Sequence, residues 1–376
     1  FEAGTFSSTT TLDGKAVFAI GAVDGNLDLL DNDTAFAPQS SFPSVSEAVT
    51  SAMVYQMNLN TSFTGDDNLY VRLKATNGWD NFSSKPGTYH NEAGNGSGGL
   101  SVDKIWYTFP IAERWEATVG PKIENYYMLA ASPSVYKPKV LKAFRFGGHG
   151  AAFGASTSVG AGLKYTADNG FASSITVNSK GAEGSSGFLT KEDENKVNVM
   201  AAYTQDNYHV SATYTTQSNN WDAWHYYSTD NVAEDGTPGM DADGFALRGW
   251  FRPDETGTIV PSVSLGYDTM TFTNNGNGYT DGSGYSIGFN WSDIFQASDT
   301  IGIAFGQPIK GTENTDATPT RAEFTEDVDP FLWEAYYSFK PNDSIEITPG
   351  IFGGSDVRGD TNDDIFGAVL TTTFRF

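Results

Sequence analysis

The segment Phe366-Gly367-Ala368-Val369-Leu370-Thr371-Thr372-Thr373-Phe374-Arg375-Phe376 has a residue pattern that is informative about the fold. Aromatic or aliphatic side chains, including Phe366, Leu370, Phe374 and Phe376, fall on alternate positions. Successive side chains of a β-strand point to opposite faces, so a period of two predicts a strand with one apolar face. No stretch of the chain keeps a period of 3.6 residues, which would indicate an amphipathic helix.

The same alternation recurs along the whole sequence and predicts sixteen strands. They are expected at 12–20, 53–59, 69–75, 105–109, 115–119, 159–165, 171–177, 197–203, 208–214, 245–251, 259–267, 285–291, 301–305, 331–339, 345–351 and 366–376. An even number of strands is typical of single-chain barrels in bacterial outer membranes. We therefore predict an all-β fold, a transmembrane antiparallel β-barrel that forms one domain over residues 1–376.

The connections between these strands alternate between short and long. Short ones are expected at 64–67, 110–113, 167–170, 205–207, 252–256, 292–298 and 341–343. Long ones, rich in Gly, Asn, Asp, Ser and Thr, are expected at 23–47, 77–99, 121–154, 181–194, 218–243, 269–283, 308–328 and 354–363. Short periplasmic turns and long outer loops are a property of transmembrane barrels. A secreted, soluble carbohydrate-binding β-protein, the alternative, gives no reason for this alternation.

Aromatic residues flank the predicted short turns on the face that would meet lipid. This set comprises Phe63, Phe109, Trp115, Tyr165, Phe171, Tyr203, Tyr208, Phe251, Trp291 and Phe339. Such an arrangement is the aromatic girdle of a membrane interface. The opposite face is small or polar, as in Ser156–Lys164, and suits a water-filled lumen. Outer-membrane lipids are therefore expected partners.

The composition excludes several classes of protein. Against 46 acidic side chains stand 22 basic ones, so the formal net charge is −24 and nucleic acid is not an expected partner. The absence of cysteine removes disulfide scaffolds, thiolate zinc sites and cysteine nucleophiles. His209 and Ser211 share a strand face, but a wall histidine is more often structural, and no motif for phosphate, paired carboxylates or a metal occurs. We expect no enzyme activity and no cofactor.

Three segments resemble cyanobacterial Som-type porins and, more distantly, OprB-type carbohydrate porins. They are Phe6-Ser7-Ser8-Thr9-Thr10-Thr11-Leu12-Asp13-Gly14, the hairpin Ser62-Phe63-Thr64-Gly65 with Leu69-Tyr70-Val71-Arg72-Leu73, and Asn290-Trp291-Ser292-Asp293-Ile294-Phe295. The resemblance implies a homotrimer in a Gram-negative-type outer membrane. Members of the family also carry an N-terminal S-layer-homology domain that binds peptidoglycan-linked polysaccharide. No such domain is visible in this sequence, so no residue is assigned to that binding.

Phe374 and Phe376 lie at the end of an apolar-faced strand. A C-terminal strand that ends in Phe resembles the signal by which the barrel-assembly machinery recognises its substrates. The alternative interpretation is an ordinary closing strand.

Basic residues cluster in the third long connection. Residues 121–150 hold Lys122, Lys137, Lys139, Lys142 and Arg145 against one acidic residue, Glu124. The third outer loop of trimeric porins resembles a constriction folded into the barrel, and a narrow, low-dielectric passage strengthens the charges that line it. We predict a pore constriction formed by these five cations. In the alternative, the loop lies outside, beside lipid phosphates or a neighbouring subunit.

Further charges fall on inward positions of the predicted strands. The predicted pore-wall residues are Arg72, Lys74, Lys104, Arg114, Glu116, Lys164, Lys180, Arg248, Glu334 and Glu346. Opposed charges across a pore orient dipolar solutes and influence ion selectivity. The sequence predicts a porin for passive diffusion of small hydrophilic solutes and inorganic ions. The alternative is a mainly structural protein that tethers the membrane to the cell wall and has a nearly closed pore.

Acidic residues are frequent in the predicted long loops, for example at Asp31-Asn32-Asp33, Asp241-Ala242-Asp243 and Asp281-Gly282. Hard cations such as Ca²⁺ favour oxygen ligands of this kind, but none of the segments has the spacing of an EF-hand. A solvated, acidic cell surface is the simpler interpretation, and loop-bound Ca²⁺ is the alternative.

Overall fold

The regular secondary structure of the computed structural model is almost entirely β-strand. The structure describes residues 9–25, 48–83, 85–94, 96, 98–154, 156–181, 187–219, 221, 225–229, 239–274, 279–314, 328–357, 359 and 364–376. The strands are β1 (Thr10–Gly25), β2 (Thr50–Thr61), β3 (Asn68–Thr76), β4 (Ser101–Ala112), β5 (Trp115–Ile123), β6 (Ser158–Thr166), β7 (Phe171–Ser179), β8 (Asn195–Thr204), β9 (Tyr208–Gln217), β10 (Asp241–Phe251), β11 (Ser262–Thr273), β12 (Tyr279–Ser292), β13 (Thr300–Asn314), β14 (Phe331–Asn342), β15 (Ile345–Ser355) and β16 (Ile365–Arg375).

Each strand pairs with its sequence neighbours, and β1 pairs with β16 to close the barrel. The β1–β16 pair is antiparallel, with Lys15 opposite Arg375 and Gly25 opposite Ile365. The predicted antiparallel barrel of sixteen strands is therefore confirmed. The helices of the described residues are short 3₁₀ turns at Asp80–Phe82, Asn125–Met128, Lys142–Gly147 and His225–Tyr227. None of the described helices has the length and apolar composition needed to cross a membrane.

The two faces of the barrel wall differ as the alternation predicts. On β1, the outward Phe18 is 57% exposed, whereas the inward Val17 is 1% exposed. On β9, the outward Val210 is 57% exposed, and the inward Thr213 is buried beneath the contents of the lumen. Apolar side chains therefore cover the outer face, whereas inward side chains are buried in the lumen.

The aromatic residues beside the short turns pack against one another around the outside. The ring centroids of Trp115 and Tyr165 are 5.0 Å apart, and those of Tyr203 and Tyr208 are 6.2 Å apart. The rigid, amphipathic rings suit the boundary between lipid tails and headgroups. They mark the interface at the end of the barrel with the short connections, which we call the short-turn end and which is periplasmic.

Several predicted boundaries are wrong. Residues 259–261 belong to the connection between β10 and β11, where Ile259 is 91% exposed, because Pro261 has no N–H to donate to a sheet. The long loop predicted at 269–283 is instead a connection of residues 274–278, because the pairing of β11 with β12 continues to Thr271 and Asp281. Asp241, Asp243 and Asp281 consequently lie in strands, whereas Asp31–Asp33 lies outside the described residues.

The buried core of this protein lies inside the lumen. The third long connection enters the barrel, as predicted, and two others enter as well, at 77–100 and 225–229. Loop residues Trp79, Phe82, Tyr136, Val140, Leu141, Phe144 and Tyr227 form one apolar cluster with wall residues that include Ala304, Leu332 and Phe352. The inward course of the second and fifth long connections was not predicted from the sequence.

Candidate pore and its constriction

Residues 124–157, which we call the constriction loop, cross the lumen from one wall to the other. Near its start, the backbone N–H of Ala130 donates to Ser174 on β7 at 3.0 Å. Further along, the N–H of Tyr136 donates to Ser264 on β11, also at 3.0 Å. The loop then reaches β14 and β15 before it returns along β10–β12. It therefore divides the lumen.

Glu334 on β14 holds the far side of the constriction loop. Its carboxylate accepts a hydrogen bond of 2.6 Å from the hydroxyl of Tyr136 and another from the backbone N–H of Leu141. Glu334 has no exposed surface. A buried carboxylate is stable only when hydrogen-bond donors surround it, so Glu334 and the loop specify each other's positions.

Arg248 on β10 holds the returning half of the loop. Its guanidinium donates to the carbonyl oxygens of Phe146 at 2.7 Å and Gly148 at 2.8 Å, and it pairs with Asp268 on β11 at 2.8 Å. The side chain of Arg248 is 0% exposed. Arg248 was predicted to line the pore, but the loop covers it, so its charge is neutralised by Asp268 and does not meet the open lumen.

Lys196 on β8 is a third anchor, which was not predicted from the sequence. It is 0% exposed, and its ammonium donates to the carbonyl oxygens of Ala151 and Gly154 at the end of the constriction loop. Beside it, Asn198 donates to the carbonyl of Ala152 at 2.6 Å. A lysine on the inward face of a strand was the available signal, although its partner could not be read from the sequence.

Glycines in the wall make room for the loop. A Cβ atom added at Gly266 would meet the carbonyl oxygen of Gly147, and one added at Gly288 would meet the ring of Tyr136. The wall needs glycine at these positions because backbone approaches backbone or ring too closely for any side chain.

The loop cations form two groups. Lys137 is exposed, and Lys139 pairs with Glu346 on β15 at 2.7 Å. Lys142 lies 3.8 Å from the ring centroid of Tyr89, and Arg145 donates to the side-chain oxygen of Asn91 at 2.6 Å. Burial lowers the pKa of Lys142 well below the usual lysine value. The first group, Lys137 and Lys139, faces the short-turn end. The second group, Lys142 and Arg145, faces the 77–100 loop.

Lys122 does not join these four cations. It lies within β5, which continues to Ile123, and its ammonium donates to the carbonyl of Val102 at 3.3 Å. The segment predicted as a loop from residue 121 therefore begins three residues later, and Lys122 is an exposed strand residue.

On β3 and β4, several predicted wall residues face the lumen and have partners there. The Arg72 guanidinium donates to the hydroxyls of Tyr70 at 2.9 Å and Tyr127 at 3.1 Å. Lys104 pairs with Glu124 of the constriction loop at 3.2 Å. Lys74 is a half-buried neighbour of Arg72 on β3.

The remaining predicted wall residues lie toward the ends of the barrel. Lys164 pairs with Glu116 at 2.6 Å, near the short turns. Two of the predicted residues do not lie in the wall. Arg114 lies in the turn between β4 and β5, where it pairs with Asp168. Lys180 follows the end of β7 and pairs with Glu194 at 2.5 Å. Both predictions failed because the strand ends lie short of these residues.

An aromatic strip lies beside Arg72 and was missed by the sequence analysis. The rings of Tyr70 and Trp106 are stacked with centroids 4.2 Å apart, and Trp106 and Tyr127 follow at 4.7 Å. Tyr127 is 37% exposed. The signal was present, because Tyr70 and Trp106 have the inward parity of their strands.

The open part of the lumen borders this strip. Inward side chains of β8–β11, such as Asn198 and Ser264, are buried by the loops. By contrast, six inward side chains of β2 and β3 are half-exposed, namely Gln56, Asn58, Asn60, Tyr70, Arg72 and Lys74. Water therefore reaches the lumen along β2–β4, opposite the filled half.

His209 and Ser211 lie together in the wall at 2.9 Å, but the other ring nitrogen of His209 contacts the hydroxyl of Thr204 at 2.7 Å. His209 also stacks on Trp250, with ring centroids 5.5 Å apart. A hydrolytic triad requires a carboxylate at the position of Thr204 to orient the imidazole. The pair has the environment of a structural histidine.

The C-terminal residues lie where the barrel closes. Phe374 packs on Phe18 with ring centroids 5.4 Å apart, and Phe376 stacks on Tyr55 at 6.0 Å. The backbone N–H of Gly14 donates to the carbonyl of Phe376 at 2.8 Å. Phe374 and Phe376 therefore belong to the outer aromatic surface of the closing strand.

Solved porin structures share this architecture. The high-pH structure of Pseudomonas putida OprB matches with a TM-score of 0.64 and 8% identity, over 98% of this chain and 94% of that chain. A loop-deletion mutant of Vibrio cholerae OmpT has a TM-score of 0.58 and 10% identity, over 98% and 99%. A triple mutant of Rhodopseudomonas blastica porin has a TM-score of 0.55 and 12% identity, over 98% and 100%. At these identities, the likeness shows the fold.

Sequence comparison supplies the family. An uncharacterized protein of Nostoc sp. is 25% identical over 423 aligned positions, which cover 100% of this chain and 67% of that protein. The sequence model described as "Carbohydrate-selective porin, OprB family" matches residues 1–376. Together with the closed barrel and its partly filled lumen, this match shows that the chain is an outer-membrane channel for solutes and belongs to the carbohydrate-selective porin, OprB family.

Proposed function

We propose that the chain is a passive diffusion channel for small hydrophilic solutes and inorganic ions, with a locally basic constriction. The observation that supports this function most directly is the attachment of the constriction loop to buried Glu334, Arg248 and Lys196. A loop held in this way keeps its cations inside the lumen. A low-dielectric, narrow passage increases the effect of each charge on a passing ion.

Neighbouring acids moderate the anion preference of such a constriction. Glu346 is 2.7 Å from Lys139, and Glu92 is 2.6 Å from Lys15. Opposed charges at short range orient dipolar solutes and partly cancel the net field. We therefore propose a weak preference for anions over cations rather than strict selectivity.

The test is the reversal potential of the purified chain in a planar bilayer under a KCl gradient. Replacing Lys137, Lys139 and Lys142 together by Glu should shift the preference from anions toward cations. Lys191→Glu, an exposed change in the connection between β7 and β8, is the control for a single charge reversal outside the constriction loop and should shift it much less. An unchanged ion ratio in the triple variant would contradict the basic constriction.

Saccharide passage is a second candidate function, favoured by the aromatic strip of Tyr70, Trp106 and Tyr127 beside Arg72. Aromatic faces stack on the apolar faces of sugar rings, and a guanidinium donates to hydroxyls. The family description and the name of the Pseudomonas putida neighbour are consistent with such solutes. Liposome swelling in glucose should slow in Trp106→Ala relative to wild type, whereas swelling in glycerol should change little.

The alternative of a structural tether with a nearly closed pore is decided by conductance. Three connections occupy the lumen, which favours a small single-channel conductance. A conductance indistinguishable from the bare bilayer would support the tether, and discrete steps would support the channel. A tether would act through polysaccharide bound by a separate domain.

The proposed setting is a cyanobacterial outer membrane, with a homotrimer inserted by the barrel-assembly machinery. The Nostoc relative supports this origin, and the exposed Phe376 supports recognition by that machinery. Light scattering of the detergent-solubilised protein tests the trimer. Outer-membrane yield of Phe376→Ala, compared with Phe18→Ala on the same aromatic surface, tests the assembly signal.

A further inference from the structure

A polar cavity of about 180 Å³ lies between the constriction loop and the wall strands β15 and β16. Its charged lining consists of Lys137, Lys139, Glu92, Glu346 and Arg375. Glu346 is the second residue of β15, and Arg375 is the last residue of β16. The cavity is therefore at the short-turn end, past Lys142 and Arg145 for a solute that enters from outside.

The carboxylates of this cavity already have cationic partners. Glu346 is 2.7 Å from Lys139 and 3.6 Å from Arg375, and Glu92 is 2.6 Å from Lys15. Lys137 differs from them, because its ammonium has no ion pair or hydrogen bond with any side chain in the described part of the chain. The cavity consequently carries a net positive charge, and Lys137 is its uncompensated cation.

Neutral hydroxyl donors and Arg375 also border the cavity. Thr371 and Thr373 are inward residues of β16, each 6% exposed, and both border the cavity. The Arg375 side chain is 48% exposed, and its 3.6 Å contact with Glu346 leaves other N–H groups of the guanidinium available. Hydroxyl, ammonium and guanidinium donors around a small space are the groups that bind phosphate, sulfate and carboxylate oxygens.

We propose that this cavity is a transit site for small oxyanions, where Lys137 and Arg375 hold the anion between the constriction and the periplasm. The inference rests on the proposed function, since an anion must first pass the constriction loop. Binding at such a site is weak by necessity, because conduction requires that each ion also leave. The site thus adds a chemical preference for oxyanions to the general preference for negative charge.

The experiment measures bilayer conductance of the full chain in increasing potassium phosphate. A transit site gives a conductance that saturates, whereas simple diffusion gives a linear rise. Lys137→Gln and Arg375→Gln should each raise the half-saturating phosphate concentration about tenfold, as loss of a charge-assisted hydrogen bond does. Lys191→Gln removes an equal charge from an exposed outer connection and should leave saturation unchanged. Arg375→Lys, which keeps the charge near the chain end, should retain partial saturation.

The outcomes separate this site from the proposed function. A linear phosphate conductance in the wild-type protein, or an equal effect of Lys191→Gln, overturns the transit site. If phosphate saturates as described while KCl reversal potentials show no anion preference, the transit site stands and the basic constriction is wrong. If saturation is absent and the anion preference is present, the constriction stands alone.

Discussion

The hydroxyl of Tyr136 donates a hydrogen bond of 2.6 Å to the carboxylate of Glu334, a residue 198 positions later in the chain. The same carboxylate accepts a hydrogen bond from the backbone N–H of Leu141. One wall residue therefore accepts two hydrogen bonds from the constriction loop. Glu334 lies on β14 and is completely buried beneath the loop. The position of the loop across the lumen therefore depends on this one acceptor more than on any exposed ion pair.

Replacing Glu334 by Ala should loosen the constriction loop. The change leaves the Tyr136 hydroxyl and the Leu141 N–H without their acceptor, at a cost of about 1–3 kcal/mol for each group. We expect a larger and noisier single-channel conductance in planar bilayers. Tyr136→Phe keeps the Leu141 bond and should have a smaller effect. Glu116→Ala, which removes a carboxylate from the half-exposed pair with Lys164, is the control. A wild-type trace from Glu334→Ala would refute the anchor.

The buried pair of Arg248 and Asp268 should contribute to the thermal stability of the barrel. Asp268→Ala leaves the guanidinium buried without its counterion, which costs about 3–5 kcal/mol in typical proteins. The measurement is the temperature to which the sample must be heated before the band of the folded barrel disappears from an SDS gel. We expect Asp268→Ala to lower this temperature clearly.

A double variant separates the charge from the loop contacts. Arg248→Met with Asp268→Leu removes both charges, and it should recover much of the lost stability. It removes the hydrogen bonds from Arg248 to the carbonyls of Phe146 and Gly148. The loop should therefore be loosened, and single-channel conductance traces should be noisier than those of the wild type. Equal thermal stability of Asp268→Ala and wild type would show that the pair is dispensable.

Gly266→Ala should displace the returning half of the constriction loop. A methyl group there would overlap the carbonyl oxygen of Gly147, and neither backbone can yield without movement of the loop. We expect altered conductance with an intact barrel on heat-modifiability gels. At Gly249 on β10 an added Cβ meets nothing closer than 3.7 Å, so Gly249→Ala is the matched control. Identical behaviour of the two variants would contradict the close contact.

The wall of the barrel was predictable because its information is local. The alternation of apolar and polar side chains and the turn-forming residues are patterns that span only a few positions. Segments such as 285–291 and 366–376 therefore indicated their strands directly. Failures occurred at strand ends, as at Pro261 and Arg114, where a difference of a few residues moves a side chain out of the wall.

The contents of the lumen were less predictable because they depend on contacts distant in sequence. Lys139 and Glu346 are 207 positions apart, and only the closed barrel brings them together. Inward parity indicated that Arg248 faces the lumen, but not that the loop would cover it. Apolar residues within the 77–100 connection, such as Trp79 and Phe82, were the overlooked signal that this loop also packs inside.

Acidification should weaken the packing of the 77–100 loop against the constriction loop through His90. Burial lowers the pKa of His90 to about 4, below the ordinary value of about 6.5. Because this depressed pKa belongs to the folded state, the associated stability is present above pH 6.5 and is lost as pH falls through 4. The loss approaches about 3 kcal/mol once the imidazole is protonated.

The contacts of His90 explain why its protonation would affect both loops. Its Nδ1 accepts a hydrogen bond of 3.0 Å from the backbone N–H of Glu92, and its backbone forms an isolated β-bridge with Leu141 of the constriction loop. Burial raises the pKa of Glu92, but the adjacent Lys15 outweighs it and holds that pKa at about 2, so Glu92 stays ionised throughout. We expect conductance and its noise to rise between pH 6.5 and 4 in wild type. His90→Asn keeps an uncharged acceptor and should flatten this rise. Burial also lowers the pKa of His149, so the double variant with His149→Asn measures its share. An unchanged pH profile in His90→Asn would assign the acid response to other groups.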